Sequence, residues 1–252
     1  MILYLEPSLD FRSQFQYNNY GYTTIGYLAG EAFDMEWEEL VQKRIFDVLG
    51  MERTNFCVEV SQTMEDFARP YALQRDQVTE MDFRRMTGME PAGAINSSVN
   101  DMLRWMQMLL AKGTAGETQV ISPIEIYNAT RPHVALPVAG YPEVRFANYG
   151  LGWMIDDYRG DVLIHHGGNI DGFSAFMAMV PTKQLGLIVL SNMNNTPLPV
   201  VVSYRINSIV YFATSDSETP AMTLEMGSTK PTIITWWNDE DFLYTDKDSN
   251  LC

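Results

Sequence analysis

Apolar residues recur along this chain at two different spacings, and the spacing changes near residue 149. Up to that point they recur every three or four positions, as they do on one face of an amphipathic helix. Glycines and prolines interrupt the pattern over residues 55–95, which we expect to be irregular. The pattern predicts helices over 22–34, over 36–49 with Gly50 as C-cap, from the capping residue Ser98 to just before Gly113, and from Ser122-Pro123 onward.

Beyond residue 149 the apolar runs become short and are joined by tight turns. Runs of this kind, bounded by turn residues, are typical of strands. Their connections are too short for the crossovers that parallel strands need, so antiparallel pairing is predicted. A further segment, 198–213, is apolar at helical spacing and is expected to pack across the sheet. The predicted strands are 149–155, 162–164, 173–180 and 185–190.

These elements predict an α+β fold with a single domain over residues 1–214. Its antiparallel sheet, flanked by helices, occupies the part from 149 to 213, and a helical region occupies the part from 11 to 131. After residue 215 the chain becomes polar and loses its periodic pattern. Residues 215–252 are therefore predicted to form a poorly ordered tail.

The composition excludes several classes of partner. Among the 252 residues, acidic side chains outnumber basic ones 32 to 17, and the net charge is -15. Nucleic acids and anionic membrane surfaces are bound mainly through Lys and Arg, so neither is expected as a partner. No apolar run is long enough to span a membrane. The first residues lack the basic start of a signal peptide, so the chain as written is expected to be cytoplasmic.

Few residues in the chain could bind a metal ion. Cys57 and Cys252 are too few for a disulfide framework or a thiolate site, and nothing in the sequence supports a bridge between them. His133, His165 and His166 lack the spacing of metal ligands, and no carboxylate motif accompanies them. We predict neither a metal nor any other cofactor.

Four short motifs occur in order along the chain, at 17–22 (Tyr-Asn-Asn-Tyr-Gly-Tyr), 45–54, 91–97 and 166–172 (His-Gly-Gly-Asn-Ile-Asp-Gly). Together they resemble the serine β-lactamase-related, penicillin-binding-protein-like family, which includes class C β-lactamases, D-alanyl-D-alanine peptidases and esterases. The resemblance covers roughly residues 11–213. It implies a β-lactamase/transpeptidase-like fold and hydrolysis of a small-molecule or peptide substrate, at an amide or ester bond, through an acyl-enzyme.

The resemblance also implies a role for each site residue. Tyr17 would be the general acid/base, and Asn19 would orient the substrate amide. His166 would replace the cation or hydrogen-bond donor of the family's cleft strand, while the backbone N–H of Asn169 would donate to the oxyanion. A phenol with a pKa near 10 needs a nearby cation before it can act as a base at pH 7. The implied site residues are Tyr17, Asn19, His166, Gly167, Gly168 and Asn169.

The two adjacent histidines cannot both face the cleft. Neighbouring side chains point to opposite sides of a strand, so one of His165 and His166 lies on the cleft side and the other lies elsewhere. The register of Gly168 and Gly172 favours His166 for the cleft. His133, which follows a proline in a loop, is expected to be a surface residue.

The family's nucleophile motif, S-x-x-K, is absent from this chain. In the family it lies on a central helix well upstream of Tyr-x-Asn, whereas only 16 residues precede Tyr17 here. We therefore expect the N-terminal elements to be missing and the chain alone to be inactive and marginally stable. The five lysines, each with the residue three positions before it, are Lys43 (Leu40), Lys112 (Leu109), Lys183 (Val180), Lys230 (Gly227) and Lys247 (Tyr244).

Three interpretations of this absence stay open. Truncation of a longer enzyme is the simplest, and in that case neither compartment nor substrate can be read from these residues. Alternatively, the chain is a non-catalytic protein that binds a ligand or partner in the residual cleft. In the third, a partner chain supplies the missing N-terminal part, as in a split enzyme.

Overall fold

The computed structural model describes residues 6–138, 142–215, 232–235 and 250–251, with side chains described up to residue 206. A π-helical turn, Gln42–Phe46, joins α2 to α3, so the predicted helix over 36–49 is nearly continuous. The helices are α1 (Asn19–Phe33), α2 (Trp37–Val41), α3 (Asp47–Leu49), α4 (Val58–Ser61), α5 (Glu90–Gly93), α6 (Val99–Leu110), α7 (Pro123–Thr130) and α8 (Leu198–Ser215).

Most of the strands lie in the second half of the chain, as the apolar pattern predicts. They are β1 (Tyr71–Gln74), β2 (Gln77–Glu80), β3 (Ser97–Ser98), β4 (Thr114–Ala115), β5 (Thr118–Gln119), β6 (Val134–Leu136), β7 (Val144–Tyr149), β8 (Met154–Tyr158), β9 (Asp161–Ile170), β10 (Phe173–Val180), β11 (Leu185–Ser191), β12 (Thr232–Thr235) and β13 (Asn250–Leu251).

Seven strands form the main sheet, in the order β12-β11-β10-β9-β8-β7-β6. Every neighbouring pair from β6 to β11 is antiparallel, and only β12 runs parallel to its neighbour β11. The short turns between these strands allow no other pairing. The predicted α+β fold with an antiparallel sheet is therefore confirmed.

Helices cover both faces of this sheet. α6 packs on one face, where Met106 and Leu110 meet Ile188 of β11. α8 packs on the other face, where Ile206 belongs to the cluster that contains Leu187. Adjacent residues of β11 thus point to opposite cores, as the alternation of side chains along a strand requires. Each such side chain contributes about 1.5–3 kcal/mol through burial. The prediction that the segment 198–213 packs across the sheet is confirmed.

The predicted helix caps are present. Gly50 ends α3 with a φ of 66°. Ser98 precedes α6 and its side chain accepts a hydrogen bond from the backbone N–H of Asp101. Ser122 caps α7 in the same way through Glu125. These residues therefore end or start their helices for the reasons that the sequence gives.

The strand predicted over 149–155 is wrong. The chain turns back on itself there, so that Tyr149 ends β7 and Met154 begins β8. A hydrogen bond from Gly150 N to Trp153 O, 2.7 Å long, closes the turn, and Gly152 has a φ of 83°. Gly150 and Gly152 allow the chain to reverse here, although the apolar residues around them favoured the prediction of one continuous strand.

The hairpin of β1 and β2 lies in the region predicted to be irregular. Its two turn residues, Arg75 and Asp76, have φ values of 49° and 62°. Positive φ at both central positions is the geometry of a tight hairpin turn, usually carried by Asn and Gly. Because this sequence has neither residue at the turn, the hairpin was not predictable from turn signals.

Only two short pieces of the predicted tail are described. β12 pairs with β11, and β13 pairs with β3. The rest of 216–252 lies outside the described residues, so the disorder of the tail stays a prediction. Among the described residues, no helix combines the length and the apolar character needed to cross a membrane.

Candidate active site

A cavity of about 1480 Å³ lies between β9 and the start of α1. All six residues predicted for the site line this cavity. One wall of the cavity is apolar. The side chains of that wall come mainly from α2, the π-helical turn, α6 and the loop after α3, and include Trp37, Ile45, Phe56, Met102 and Trp105.

One edge of β9 is open where it borders the cavity. β8 pairs with β9 only as far as His165, which lies opposite Met154. β10 continues to pair with β9 as far as Ile170, opposite Phe173. In the described structure, β9 therefore has a strand neighbour on only one side from His166 onward. An edge of this kind offers backbone N–H and C=O groups to an extended ligand.

The middle residue of the Tyr-Asn-Asn motif has a structural role. Asn18 is the N-cap of α1, and its Oδ1 accepts a hydrogen bond from Gly21 N at 3.2 Å. This cap fixes the point at which the chain enters the helix, and so places Tyr17 and Asn19 on either side of it, both in the cavity lining. The capping role of Asn18 was not among the predictions from sequence, although an asparagine directly before a helical pattern is a known start signal.

Tyr17 belongs to the first of the four motifs and His166 to the last, and the fold brings the two residues together. Their ring centroids are 5.9 Å apart, and the Tyr17 ring also lies 6.5 Å from that of Tyr149. The two residues therefore share one wall of the cavity, as the resemblance implies. Their catalytic roles stay predictions.

The environment of Tyr17 keeps its hydroxyl protonated. Partial burial raises the pKa of Tyr17, and the nearby Tyr22 raises it further. The arginines among the described lining residues are paired with acids: Arg84 with Asp171 at 2.9 Å, and Arg85 with Glu59. No lysine belongs to the described lining of the cavity. Nothing on the described residues supplies the cation that a phenolate base requires.

His166 is half-buried, and both of its ring nitrogens are engaged. Nδ1 lies 2.7 Å from the carbonyl oxygen of Gly167, and Nε2 lies 3.1 Å from the hydroxyl of Tyr149. Tyr22 in turn donates to the Tyr149 hydroxyl at 3.3 Å. Burial lowers the pKa of His166, and the neighbouring His165 lowers it further against the opposing effect of the Gly167 carbonyl. The lowered pKa favours the neutral imidazole, so His166 does not supply the positive charge that a cation would bring to the cleft strand.

Tyr149 and Tyr22 are not among the six residues predicted for the site and do not belong to the described cavity lining, but their hydroxyls form a hydrogen-bonded chain that ends on His166. Tyr149 is buried, and its burial raises its pKa. Tyr22 lies on α1, one turn after the N-cap, and Tyr149 lies at the end of β7. The position of Tyr149 directly before the glycine-rich turn could have indicated that it ends a strand, but that turn was predicted as part of a strand over 149–155.

The other two histidines have partners of their own, although His165 also belongs to the cavity lining. His165 is buried, and its Nε2 donates to Asp156 Oδ2 at 2.9 Å while its ring stacks on Phe176. His133 is exposed and its Nε2 donates to the carbonyl of Asn128 at 2.8 Å. The opposite orientations of His165 and His166 follow from their adjacent positions on one strand.

The glycine pair leaves open space beside the strand. A Cβ atom built on Gly167 would come no closer than 3.5 Å to Phe176, and one on Gly168 no closer than 4.0 Å to Ala175. Both are ordinary contact distances, so internal packing does not require glycine at either position. The absence of side chains instead lets a ligand approach the backbone of β9 closely.

Asn169 has a structural task at the far end of the same strand. Its Oδ1 accepts hydrogen bonds from Ser174 Oγ at 2.5 Å and from Asn195 N at 3.1 Å. These bonds join β9 to β10 and to the loop after β11. The role of its backbone N–H as an oxyanion donor stays a prediction.

Comparison with known proteins identifies the relatives of this chain. A family model described as Beta-lactamase matches residues 1–210. A protein named Unguisins hydrolase ungD, from Aspergillus violaceofuscus, is 28% identical over an alignment of 200 residues that covers 73% of this chain and 35% of that protein. This chain therefore spans about a third of the length of that relative.

Solved structures share the fold at lower identity. A penicillin-binding protein homologue from Pyrococcus abyssi, described as octameric, superposes with a TM-score of 0.68 at 22% identity, over 79% of this chain and 43% of that one. A class C β-lactamase gives a TM-score of 0.62 at 21% identity, over 81% of this chain and 60% of that one. The β-lactamase/transpeptidase-like fold is thus confirmed for the part of the fold that this chain contains.

Proposed function

Because this chain belongs to the beta-lactamase family, we propose that it forms the Tyr-x-Asn and His-Gly-Gly walls of a serine hydrolase that cleaves amide or ester bonds through an acyl-enzyme. The observation that carries the proposal is the meeting of Tyr17, Asn19 and the open edge of β9 around one cavity. The edge would hold the acyl part of a substrate, and Tyr17 would exchange a proton with the nucleophile or leaving group.

The nucleophile of this proposal comes from outside the described residues. Besides Ser191 and Cys57, whose Sγ donates to Glu59 Oε2 at 2.9 Å, the cavity lining contains two serines that have structural partners. Ser97 Oγ lies 2.8 Å from Thr54 Oγ1, and Ser174 Oγ donates to Asn169 and to the carbonyl of Met193. Neither has a neighbouring base of the kind that activates a serine. We therefore propose that the chain by itself forms no acyl-enzyme.

The size and polarity of the cavity support a missing structural element. Small-molecule sites usually enclose about 300–1000 Å³, whereas this cavity is about 1480 Å³ and its lining is largely apolar. Nearby, α1 buries only Gly26 and Gly30 and exposes larger apolar side chains. A helix that carries S-x-x-K, from the same polypeptide or a partner chain, would cover both surfaces. The exposed side chains of α1 include Ile25, Leu28 and Phe33.

Covalent labelling tests this proposal. The 252-residue chain is incubated with a fluorescent penicillin and with an activated phenyl ester, and its intact mass is measured. We expect no adduct on the chain alone. A form of the protein that includes an S-x-x-K segment should gain one adduct, and Tyr17→Phe should slow its formation by about 10²-fold or more, the usual contribution of a general acid/base. An adduct on the chain alone, or none on the form with S-x-x-K, would contradict the proposal.

A non-catalytic binding role is the second candidate, favoured by the neutral state of the site. His166 has both nitrogens engaged, and the pKa of Tyr17 is raised, so the described site binds polar groups without activating them. A ligand that binds only the folded state raises Tm. A Tm increase with the fluorescent penicillin, without hydrolysis even when S-x-x-K is supplied, would support this role over the hydrolase.

A further inference from the structure

The chain of hydrogen bonds behind Tyr17 has a fixed direction. Gly167 contributes a carbonyl oxygen, which can only accept, so Nδ1 of His166 carries a proton. In a neutral imidazole the other nitrogen is then an acceptor, and the Tyr149 hydroxyl at 3.1 Å donates to it. The Tyr149 oxygen is left to accept, which matches the hydroxyl of Tyr22 donating to it at 3.3 Å.

We propose that Tyr149, itself held by Tyr22, is a positioning residue that keeps His166 as the neutral Nδ1–H tautomer in the cleft wall. Three elements meet in this arrangement: α1 provides Tyr22, the end of β7 provides Tyr149, and β9 provides His166. The imidazole is thereby oriented with an uncharged ring toward Tyr17, at 5.9 Å between centroids. The tautomer is set by the partners of the two ring nitrogens, as in other ordered histidines.

Tyr149 would be a positioning residue of the proposed hydrolase, and only this role in catalysis rests on the proposed function. The tautomer itself can be measured without turnover. A failed labelling experiment would therefore leave the tautomer assignment intact, and a wrong tautomer would leave the labelling result intact.

The three histidines make the measurement unusually clear. His133 directs Nε2 at the carbonyl of Asn128, and His165 directs Nε2 at the Asp156 carboxylate, so both carry a proton on Nε2. His166 alone should have Nε2 without a proton. Long-range ¹H–¹⁵N correlation spectra of the ¹⁵N-labelled 252-residue chain at pH 7.5, with pH 7.5 chosen as about one unit above the ordinary histidine pKa, distinguish the two tautomers directly.

The variant Tyr149→Phe removes the donor to Nε2. We expect the Nδ1–H population of His166 to fall and its Nε2 resonance to move toward that of a protonated nitrogen, because the competing tautomer is no longer disfavoured. Tyr22→Phe should cause a smaller change in the same direction. The resonances of His165, on the same strand, report whether β9 remains folded in each variant. Tyr158→Phe, a buried tyrosine on the opposite face of the sheet, is the matched control.

Two results would overturn the proposal. One is a spectrum of the unmodified chain in which His166 carries its proton on Nε2 or on both nitrogens at pH 7.5. The other is a Tyr149→Phe spectrum in which His165 is unchanged and His166 is unchanged as well. A merely structural role for Tyr149 would alter stability without moving the tautomer of His166.

Discussion

Substitution of Asp101 tests how the segment after α3 is attached to α6. Asp101 is 3% exposed, and its Oδ2 accepts from the backbone N–H of Arg53 at 2.8 Å and from Thr54 Oγ1 at 2.7 Å. Asp101→Ala removes both bonds and leaves the buried hydroxyl of Thr54 with Ser97 alone. A hydrogen bond to a charged group contributes about 1.5–3 kcal/mol, so the loss of two predicts a decrease of about 3–6 kcal/mol in the free energy of unfolding.

Two variants make the comparison specific. Asp101→Asn keeps one oxygen that can accept both bonds but loses the charge and with it the ion pair to Arg104 at 3.7 Å, so about 1–2 kcal/mol is expected. Glu125→Ala is the matched control, because Glu125 occupies the same place after the cap of α7 but is exposed. It should change stability by less than about 0.5 kcal/mol.

Urea unfolding, followed by far-UV circular dichroism and tryptophan fluorescence, gives these free energies. The slope with urea concentration should be equal in all three variants if only the folded state is affected. A loss in Asp101→Ala of less than about 1 kcal/mol, or one no larger than that of Glu125→Ala, would refute the attachment.

Three further predictions concern Gly172, Gly167 and His166. Gly172→Ala should lower Tm strongly, because a Cβ there would lie 2.0 Å from Pro70 Cβ. Gly88 also has a positive φ but no atom within 4 Å of such a Cβ, so Gly88→Ala should cost only about 1 kcal/mol of backbone strain. Equal losses of stability in the two variants would contradict this reason. Gly167→Ala should leave Tm within a few degrees while weakening acylation of a form with S-x-x-K, and a large fall in Tm would show that packing requires this glycine. The pKa of His166 is lowered by folding, so its contribution to stability is present above the unfolded pKa of about 6.5 and is lost as the pH falls through the folded pKa. The free energy of unfolding of His166→Gln, measured with urea from pH 8 to pH 5, should therefore depend less on pH. An unchanged pH dependence would argue against a buried neutral imidazole.

Several parts of the site could be predicted from sequence because each depends on local chemistry. The order of the motifs located Tyr17, Asn19 and the 166–169 segment, and the two-residue period of a strand separated His165 from His166. Tyr22 and Tyr149 were missed for a different reason. They lie far apart in the sequence, and no periodicity or turn signal links a tyrosine on α1 to one at the end of β7. Their partnership depends on how the helix and the sheet are placed.

The sequence by itself determined the antiparallel sheet, the main helices with their caps, the family resemblance and the absence of S-x-x-K. These features follow from hydrophobic period, cap chemistry and residue identity, which are local properties of the chain. Only the tertiary structure decided that both ring nitrogens of His166 are engaged and its pKa is lowered, and that the pKa of Tyr17 is raised. Burial and hydrogen-bond partners set a protonation state, and both arise from residues that meet only when β7, β9 and α1 pack together.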